Sequence, residues 1–430
     1  MAEPTIRRTD IGSPREPRRR RLIIAGVIGN VLEWYDFSVY GFFAVAIGEN
    51  FFPSKSPSAE LIAAFGVFAA GFLMRPFGAL LFGYIGDHRG RERALTLSVL
   101  AMAVPTFLIG LLPTHAQIGS AAAVLMVLLR LVQGLSVGGE YTTSMVFLVE
   151  QAPPGKRGAM GALGVGGAFA GVMLGSAVGT LVAWRMPTAT LLAWGWRIPF
   201  LAGIAIGFAG YFLRRELRFV DETPRKAPPP LMQVLRSQWL RIFQVTGFKV
   251  FDAVGFYLMF VYSTTYLEEV VGIERGRAMA INTIGMAGVQ LMLPFAGRLS
   301  DRFGRKPLLL LSAAAVILFA IPLFNLLWHP VFAIPLIGQL GFALIIAMFN
   351  GASPAAAAEA FPSNVRCSGV AISHNLCMAI FGGTAPIVAT YLIQYTDNEM
   401  SPPLYLIGAA VVSMIFTLTL RETAKLPLAE

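Results

Sequence analysis

Only 13% of the 430 residues are charged, about half of what a soluble domain uses to cover its water-facing surface. A chain so poor in charge belongs in lipid. Histidine occurs four times and cysteine twice, which leaves no material for a metal cluster or a disulfide framework. Cys367 and Cys377 are separated along one expected helix by roughly 15 Å of rise, too far to bridge. The chain also lacks a Walker A loop, a His-Glu-x-x-His pair and a Gly-x-Ser-x-Gly nucleophile turn. These absences exclude a membrane enzyme, and no cofactor is expected beyond a proton gradient.

Apolar material is abundant: 56% of residues are hydrophobic and 32 are Phe, with a mean hydropathy of +0.65. A soluble chain of this length would form about three domains. Here the runs instead match membrane spans of about 20 residues. They fall near 22–47, 61–86, 94–112, 121–149, 159–183 and 195–213, then near 242–267, 278–299, 307–327, 331–358, 368–393 and 402–420. The expectation is an all-α membrane protein of twelve transmembrane helices in two six-helix halves. Residues 1–21 read as a disordered basic cytoplasmic tail, 22–213 as the first half, 214–241 as a cytoplasmic linker, 242–420 as the second half and 421–430 as a cytoplasmic tail.

The basic residues orient the spans. With the N-terminus inside, cytoplasmic segments hold 26 of the 34 Lys and Arg residues, so both termini are placed in the cytoplasm by the positive-inside rule. The same asymmetry accounts for the net charge of +10 without invoking nucleic acid. The expected partners are the lipid bilayer of the inner membrane, protons and a small-molecule substrate. Nothing calls for a second copy, so the chain is expected to act as a monomer.

Two patterns recur between the halves. Gly83-x-x-x-Asp87-x-x-Gly90-Arg91 is echoed by Gly297-x-x-x-Asp301-x-x-Gly304-Arg305, and Glu150-x-x-Pro153-x-x-x-Arg157 by Glu359-x-x-Pro362-x-x-x-Arg366. Both fall in cytoplasmic loops after equivalent spans. The chain is thus read as two parallel repeats, which places a substrate site between them near mid-membrane. The glycines permit sharp turns, and Asp87, Arg91, Glu150, Arg157, Asp301, Arg305, Glu359 and Arg366 form a cytoplasmic gate expected to latch in one state and separate in another.

The doubled Gly-x-x-x-Asp-x-x-Gly-Arg pattern resembles that of the major facilitator superfamily. Gly29-Asn30-Val-Leu-Glu33-Trp34-Tyr35-Asp36-Phe37-x-x-Tyr40-Gly41, Phe72-Leu-Met-Arg75-Pro76-Phe-Gly78, Arg130-Leu-Val-Gln133-Gly134-x-x-x-Gly138-Gly139-Glu140, Trp194-Gly-Trp196-Arg197-Ile-Pro199-Phe and Phe381-Gly-Gly383-Thr-Ala-Pro386 are similar to those of its metabolite:proton symporter family. That family includes proline/betaine, α-ketoglutarate, shikimate and citrate carriers. The resemblance implies a carrier that imports a small metabolite on the proton gradient.

Charges inside the spans point to the same chemistry, because each costs about 2.5–3.5 kcal/mol at the bilayer centre. A buried carboxylic acid takes up a proton more readily than an exposed one, so Glu33, Asp36, Glu140 and Asp252 are the proton-coupling candidates, Glu33 and Asp36 foremost. Arginine grips a carboxylate with a planar fork and stays charged, so Arg130, then Arg75, are the substrate candidates. Tyr40, Gln133, Lys249, Tyr257, His374 and Asn375 complete the expected pocket, with Trp34, Tyr35 and Tyr262 as aromatic walls and Asn282 and Gln290 as further polar residues. Lys249 with Asp252 equally suits an internal salt bridge. Gly167, Gly171, Gly175 and Gly179 form a small-residue stripe on span 5 for close helix approach or sliding.

The function read from these features is proton-coupled uptake of a small organic acid by alternating access. The alternative is symport of a zwitterion such as betaine or proline, whose ammonium aromatic rings would hold. The symporter patterns speak against an exporter, and the repeated latches against a channel.

Overall fold

Inside lipid a chain must satisfy its own backbone, which for apolar runs of this length means helices. The computed structural model of the protein describes residues 16–89, 91–137, 140–205 and 231–428, without the side chains of 16–26, 83, 86–89, 91–95, 140 and 231–233. Every regular element among these residues is helical.

Twelve spans follow in order. Span 1 is Glu16–Phe42, continued by the short Ala44–Phe51. Span 2 joins Pro57–Leu73 to Arg75–Arg89, span 3 is Arg91–Leu111, and span 4 joins Ala121–Ser136 to Glu140–Glu150. Span 5 is Arg157–Arg185, and span 6 is helical as far as its described end at 205. In the second half, span 7 runs from Leu231–Phe248 through Val250–Tyr257 to Val270. Spans 8, 9 and 10 are Arg275–Phe303, Arg305–Leu327 and Ala333–Glu359. Span 11 joins Arg366–Cys377 to Ala385–Thr396, and span 12 is Ser401–Thr419. Among the described residues, nine helices are long and apolar enough to cross a bilayer, and Thr96–Leu111 is a shorter apolar helix.

Two expected boundaries are corrected. Residues 16–21, read as unstructured tail, already belong to the first helix. Pro17 fits a first turn and arginine is a good helix former. Residues 231–241 of the expected linker are the start of span 7, which begins directly after Pro228, Pro229 and Pro230. The C-terminal segment is seated against the second half and makes side-chain and backbone hydrogen bonds there. Residues 1–15 and 206–230, the rest of the expected tail and linker, lie outside the described residues.

The two halves meet through spans 1, 2, 4 and 5 on one side and 7, 8, 10 and 11 on the other. Span 5 packs against span 1 of its own half and against spans 8 and 10 of the other. A Cβ on Gly167 would come 2.7 Å from the Val27 carbonyl, and one on Gly171 2.3 Å from the Val31 carbonyl. Glycine alone lets span 1 approach this closely. Gly179, lower on the same stripe, faces Met279 of the other half at 3.1 Å. Spans 7 and 11 each contain π-helical turns, at Leu258–Tyr262 and Met378–Gly382. Such turns locally widen a helix and re-aim its side chains, and both directly follow residues of the central cluster described below.

Candidate functional site

At one end of the bundle the repeated charges are interlocked. Asp301 accepts hydrogen bonds from the Gly158 and Ala159 amides of span 5 at 2.7 and 2.9 Å, capping a helix of the opposite half where its dipole favours an anion. Arg305 lies 2.9 Å from Asp301 and 3.2 Å from Glu359. Arg157 also reaches Glu359, at 2.8 Å, while Arg366 pairs with Glu150 at 2.7 Å. The two Glu–Arg motifs are therefore exchanged between halves, each glutamate meeting the arginine of the other copy. Asp87 and Arg91, the first copy of the turn motif, have side chains outside the described residues.

The C-terminal segment joins this charge cluster. Glu422 accepts hydrogen bonds from the Arg305 and Lys306 amides at 3.1 and 2.9 Å, the Thr423 hydroxyl donates to Glu359, and Arg157 donates to the Leu426 carbonyl. Gly304, at φ +112°, turns the chain so closely that a Cβ there would meet the Glu422 carboxylate at 2.6 Å. Partial burial pushes the Glu422 carboxyl up, and backbone N–H donors from Ala424, Arg305, Lys306 and Thr423 outweigh it, holding it below its ordinary value.

Near the middle of the bundle a second cluster joins the halves. Lys249 donates to Asp252 and to the Ser353 hydroxyl at 2.9 and 3.1 Å, and Asn350 donates to the other Asp252 oxygen at 2.9 Å. Opposite them stands Arg75, 1% exposed, with none of its three guanidinium nitrogens in a hydrogen bond. Its charge lies 5.6 Å from the Trp34 ring and 5.3 Å from the Phe72 ring. The Tyr257 hydroxyl approaches it without hydrogen-bond geometry.

Tyr141 is the hub of this cluster. Its ring is 5.5 Å from Trp34 and 5.1 Å from His374, with Asp252, Arg75, Tyr257 and Glu33 all in electrostatic reach. Phe256 closes the wall, 5.5 Å from Trp34 and 5.0 Å from Tyr257. His374 is buried with both ring nitrogens unbonded, and Asn375 is buried beside it.

Arg130 and Asp36 are tied into the first half, although Arg130 keeps Nε and Nη2 unbonded and, like Arg75, lies within electrostatic reach of Tyr257. Arg130 donates to Gln133 at 2.9 Å, Gln133 donates to the Thr106 hydroxyl at 2.7 Å, and Asp36 stands against Thr106 and Gly203. The Arg130 charge lies on the rings of Tyr40 and Phe37, at 4.3 and 4.5 Å. Tyr40 itself is pinned by its hydrogen bond to the Ala64 carbonyl.

Of Glu33, Asp36, Arg75 and Arg130, the two arginines lie within electrostatic reach of Tyr257 and Glu33 within that of Tyr141, whereas Asp36 turns to Thr106 and Gly203. Glu33 and Asp36, three residues apart, differ by about 60° around the helix, enough for a fully enclosed span to aim them at different neighbours. Tyr35 is spent on the Pro199 carbonyl. Tyr262 packs on Phe65, and Asn282 and Gln290 bond Ser176 and Gly166 across the halves. The side chain of Glu140 lies outside the described residues. Residues not anticipated are Tyr141, Phe256, Asn350, Ser353 and Thr106. Of these, Asn350 alone carried a signal, one of two amides, with Gln339, in an otherwise apolar stretch of span 10.

The family model described as sugar (and other) transporter matches residues 22–225, and the Major Facilitator Superfamily model matches residues 250–429. A glycine betaine/proline/ectoine/pipecolic acid transporter, OusA of Dickeya dadantii (strain 3937), is 35% identical over 96% of this chain and 85% of its own length. The proline/betaine transporter of Escherichia coli (strain K12) is 35% identical over 95% of this chain and 85% of its own. A crystal structure of a D-xylose-proton symporter superposes with a TM-score of 0.72 at 18% identity, covering 96% of this chain and 98% of that one, a likeness of fold. The chain belongs to the major facilitator superfamily, alongside the proline/betaine transporters, and is a multi-pass membrane transporter rather than an enzyme.

Proposed function

We propose that the protein is a proton-coupled symporter importing small zwitterions of the betaine and proline kind. The observation that carries this is Arg75, a buried guanidinium with all its donors open, surrounded by aromatic rings from both halves. The fork suits a solute carboxylate, and the rings of Trp34, Tyr141 and Phe256 suit a desolvated ammonium. A dicarboxylate would find Arg75 alone with all its nitrogens open, because Lys249 is already committed to Asp252 and Arg130 is held in part by Gln133. The relatives' substrates point the same way, so the zwitterion reading replaces the organic-acid one. In this assignment Arg75, not Arg130, holds the carboxylate.

Proton uptake is assigned to Glu33 and Asp36, with Asp252 neutralised by Lys249. The halves rock about the central cluster, the latch closing the cytoplasmic side of a single working chain in the inner membrane, with both termini inside. Uptake into proteoliposomes under an imposed inward proton gradient tests this with labelled glycine betaine, proline, citrate, α-ketoglutarate and shikimate. Betaine or proline is expected to accumulate, and an uncoupler to abolish the accumulation. Accumulation of citrate alone would overturn the substrate assignment, and indifference to the uncoupler would overturn the coupling.

A further inference from the structure

At the end of the bundle opposite the latch, a cavity of about 360 Å³ lies between the end of span 5 and the start of span 8, lined by Trp184, Arg185, Leu191, Glu274, Arg275 and Gly276 among others. Its size falls in the range of small-molecule pockets. The wall from the second half is the first turn of a 29-residue helix, and Glu274, the residue before it, makes no side-chain cap. The free amides of such a turn face an anion favourably.

Arg275 supplies the independent feature. It is 4% exposed, and its Nε is held by both Glu268 carboxylate oxygens at 2.7 and 2.8 Å. Its Nη1 and Nη2 are buried and make no hydrogen bond. That leaves the forked face of a guanidinium, built for a carboxylate, without an occupant. The exposed Arg185 stands on the facing wall, so two arginines from different halves line one cavity.

A simple anion is nonetheless a poor match. Glu268 is bonded to Arg275, and Glu49 and Glu269 are within its electrostatic reach. Glu274 is drawn toward Arg277 at 3.5 Å. The surroundings therefore favour a ligand carrying a positive charge as well as a carboxylate. Trp184 lines the cavity beside that helix start, its indole edge so near Gly276 that a Cβ there would meet Cδ1 at 2.5 Å, which keeps an aromatic ring available to the positive end. An indole is the best ring for a cation.

We infer that this cavity is a second, outer binding site for a small zwitterion, its carboxylate on Arg275 and the first turn of span 8, its ammonium toward Trp184 and the acidic residues. The site bridges spans 5 and 8 at the end of the bundle away from the latch, the outer end if the termini are cytoplasmic. It rests on the zwitterion reading above and adds a capture step before the central cluster.

Equilibrium binding of labelled glycine betaine to the purified full-length protein tests it, alongside uptake by the same protein in proteoliposomes. The variants are Arg275→Gln and, because Arg275 is packed, the exposed pair Trp184→Ala with Arg185→Gln. The wild type is expected to bind a second equivalent that both variants lose, while Arg75→Ala loses the other one. The exposed pair is expected to raise the half-saturation concentration of uptake by about tenfold, about 1.4 kcal/mol, without changing the maximal rate. A single equivalent in a wild type that takes up betaine would overturn the outer site and leave the transport reading intact. A second equivalent surviving in both variants would also overturn it. Absence of betaine uptake would overturn the transport reading, and binding lost on Trp184 and Arg185 substitution would still support the cavity.

Discussion

Arg157 of span 5 and Glu359 of span 10, one from each half, close to 2.8 Å, and Arg305 shares the same carboxylate at 3.2 Å. One buried acid thus holds two arginines, and removing its charge leaves both facing each other. Losing one partner of a buried pair costs about 3–5 kcal/mol, and the share carried by Arg157, the partner from the other half, falls on the latched state alone. Glu359→Gln should therefore open the latch end. In a Cys367→Ser background, the fully buried Cys377 becomes the reporter. Its alkylation should be at least about tenfold faster with Glu359→Gln, and an unchanged rate would refute the latch.

Arg75 and Arg130 make opposite predictions under the same conservative change. Arg75 has no hydrogen-bond partner, so Arg75→Lys should keep the fold and raise the half-saturation concentration for betaine by about tenfold or more, as expected when a bidentate carboxylate contact is lost. Arg130 is held by Gln133 and stacked on Tyr40 and Phe37. Arg130→Lys should lower the unfolding temperature while leaving the half-saturation concentration of the surviving protein within about threefold, because the hydrogen bond to Gln133 and the two rings are what its guanidinium serves. A larger rise would give the open Nε and Nη2 to the substrate. Thermal unfolding in detergent and initial uptake rates separate the two.

How far the sequence alone reached follows from these two sites. The latch was legible because the repeat marks its residues twice. Its crossed pairing was not, since spacing along one chain does not say which half's glutamate meets which arginine. The different surroundings of Glu33 and Asp36 are hidden for a similar reason: a spacing of three residues does not say which neighbours enclose a helix packed on several sides. Tyr141 drew no notice beside Glu140, although its ring touches both Trp34 and His374. Tyrosine at a membrane span ordinarily signals an interface, and only the packing of span 4 against span 11 gives this one its place.

The docking of the C-terminal segment carries a pH dependence of defined sign. Glu422 is held below its ordinary value of 4.5 by backbone donors that outweigh burial. A depressed carboxyl stabilises the folded arrangement above its unfolded value and loses that contribution as pH falls through its folded one. Docking should therefore be constant between about pH 6 and 8 and weaken only on acidification below 4.5. Glu422→Gln should reproduce the acid behaviour at neutral pH. Hydrogen-exchange protection of the Arg305 and Lys306 amides reads this directly. Equal protection in the variant at pH 7 would contradict it.

The glycine stripe separates packing from motion. At Gly171 a Cβ would meet backbone, the Val31 carbonyl at 2.3 Å, which cannot swing aside. Gly171→Ala should lower stability by about 1–3 kcal/mol, the usual cost of overpacking. At Gly179 the neighbour is the Met279 sulfur at 3.1 Å, the end of a flexible side chain that belongs to the other half. Gly179→Ala should leave the unfolding temperature nearly unchanged and instead slow uptake, because the added methyl presses on a surface that moves during the cycle. Gly408, with nothing within 4 Å, is the control, and alanine there should be neutral or stabilising by up to about 1 kcal/mol. If Gly179→Ala unfolds as early as Gly171→Ala while transporting at the wild-type rate, the whole stripe is static packing and span 5 is not the sliding face.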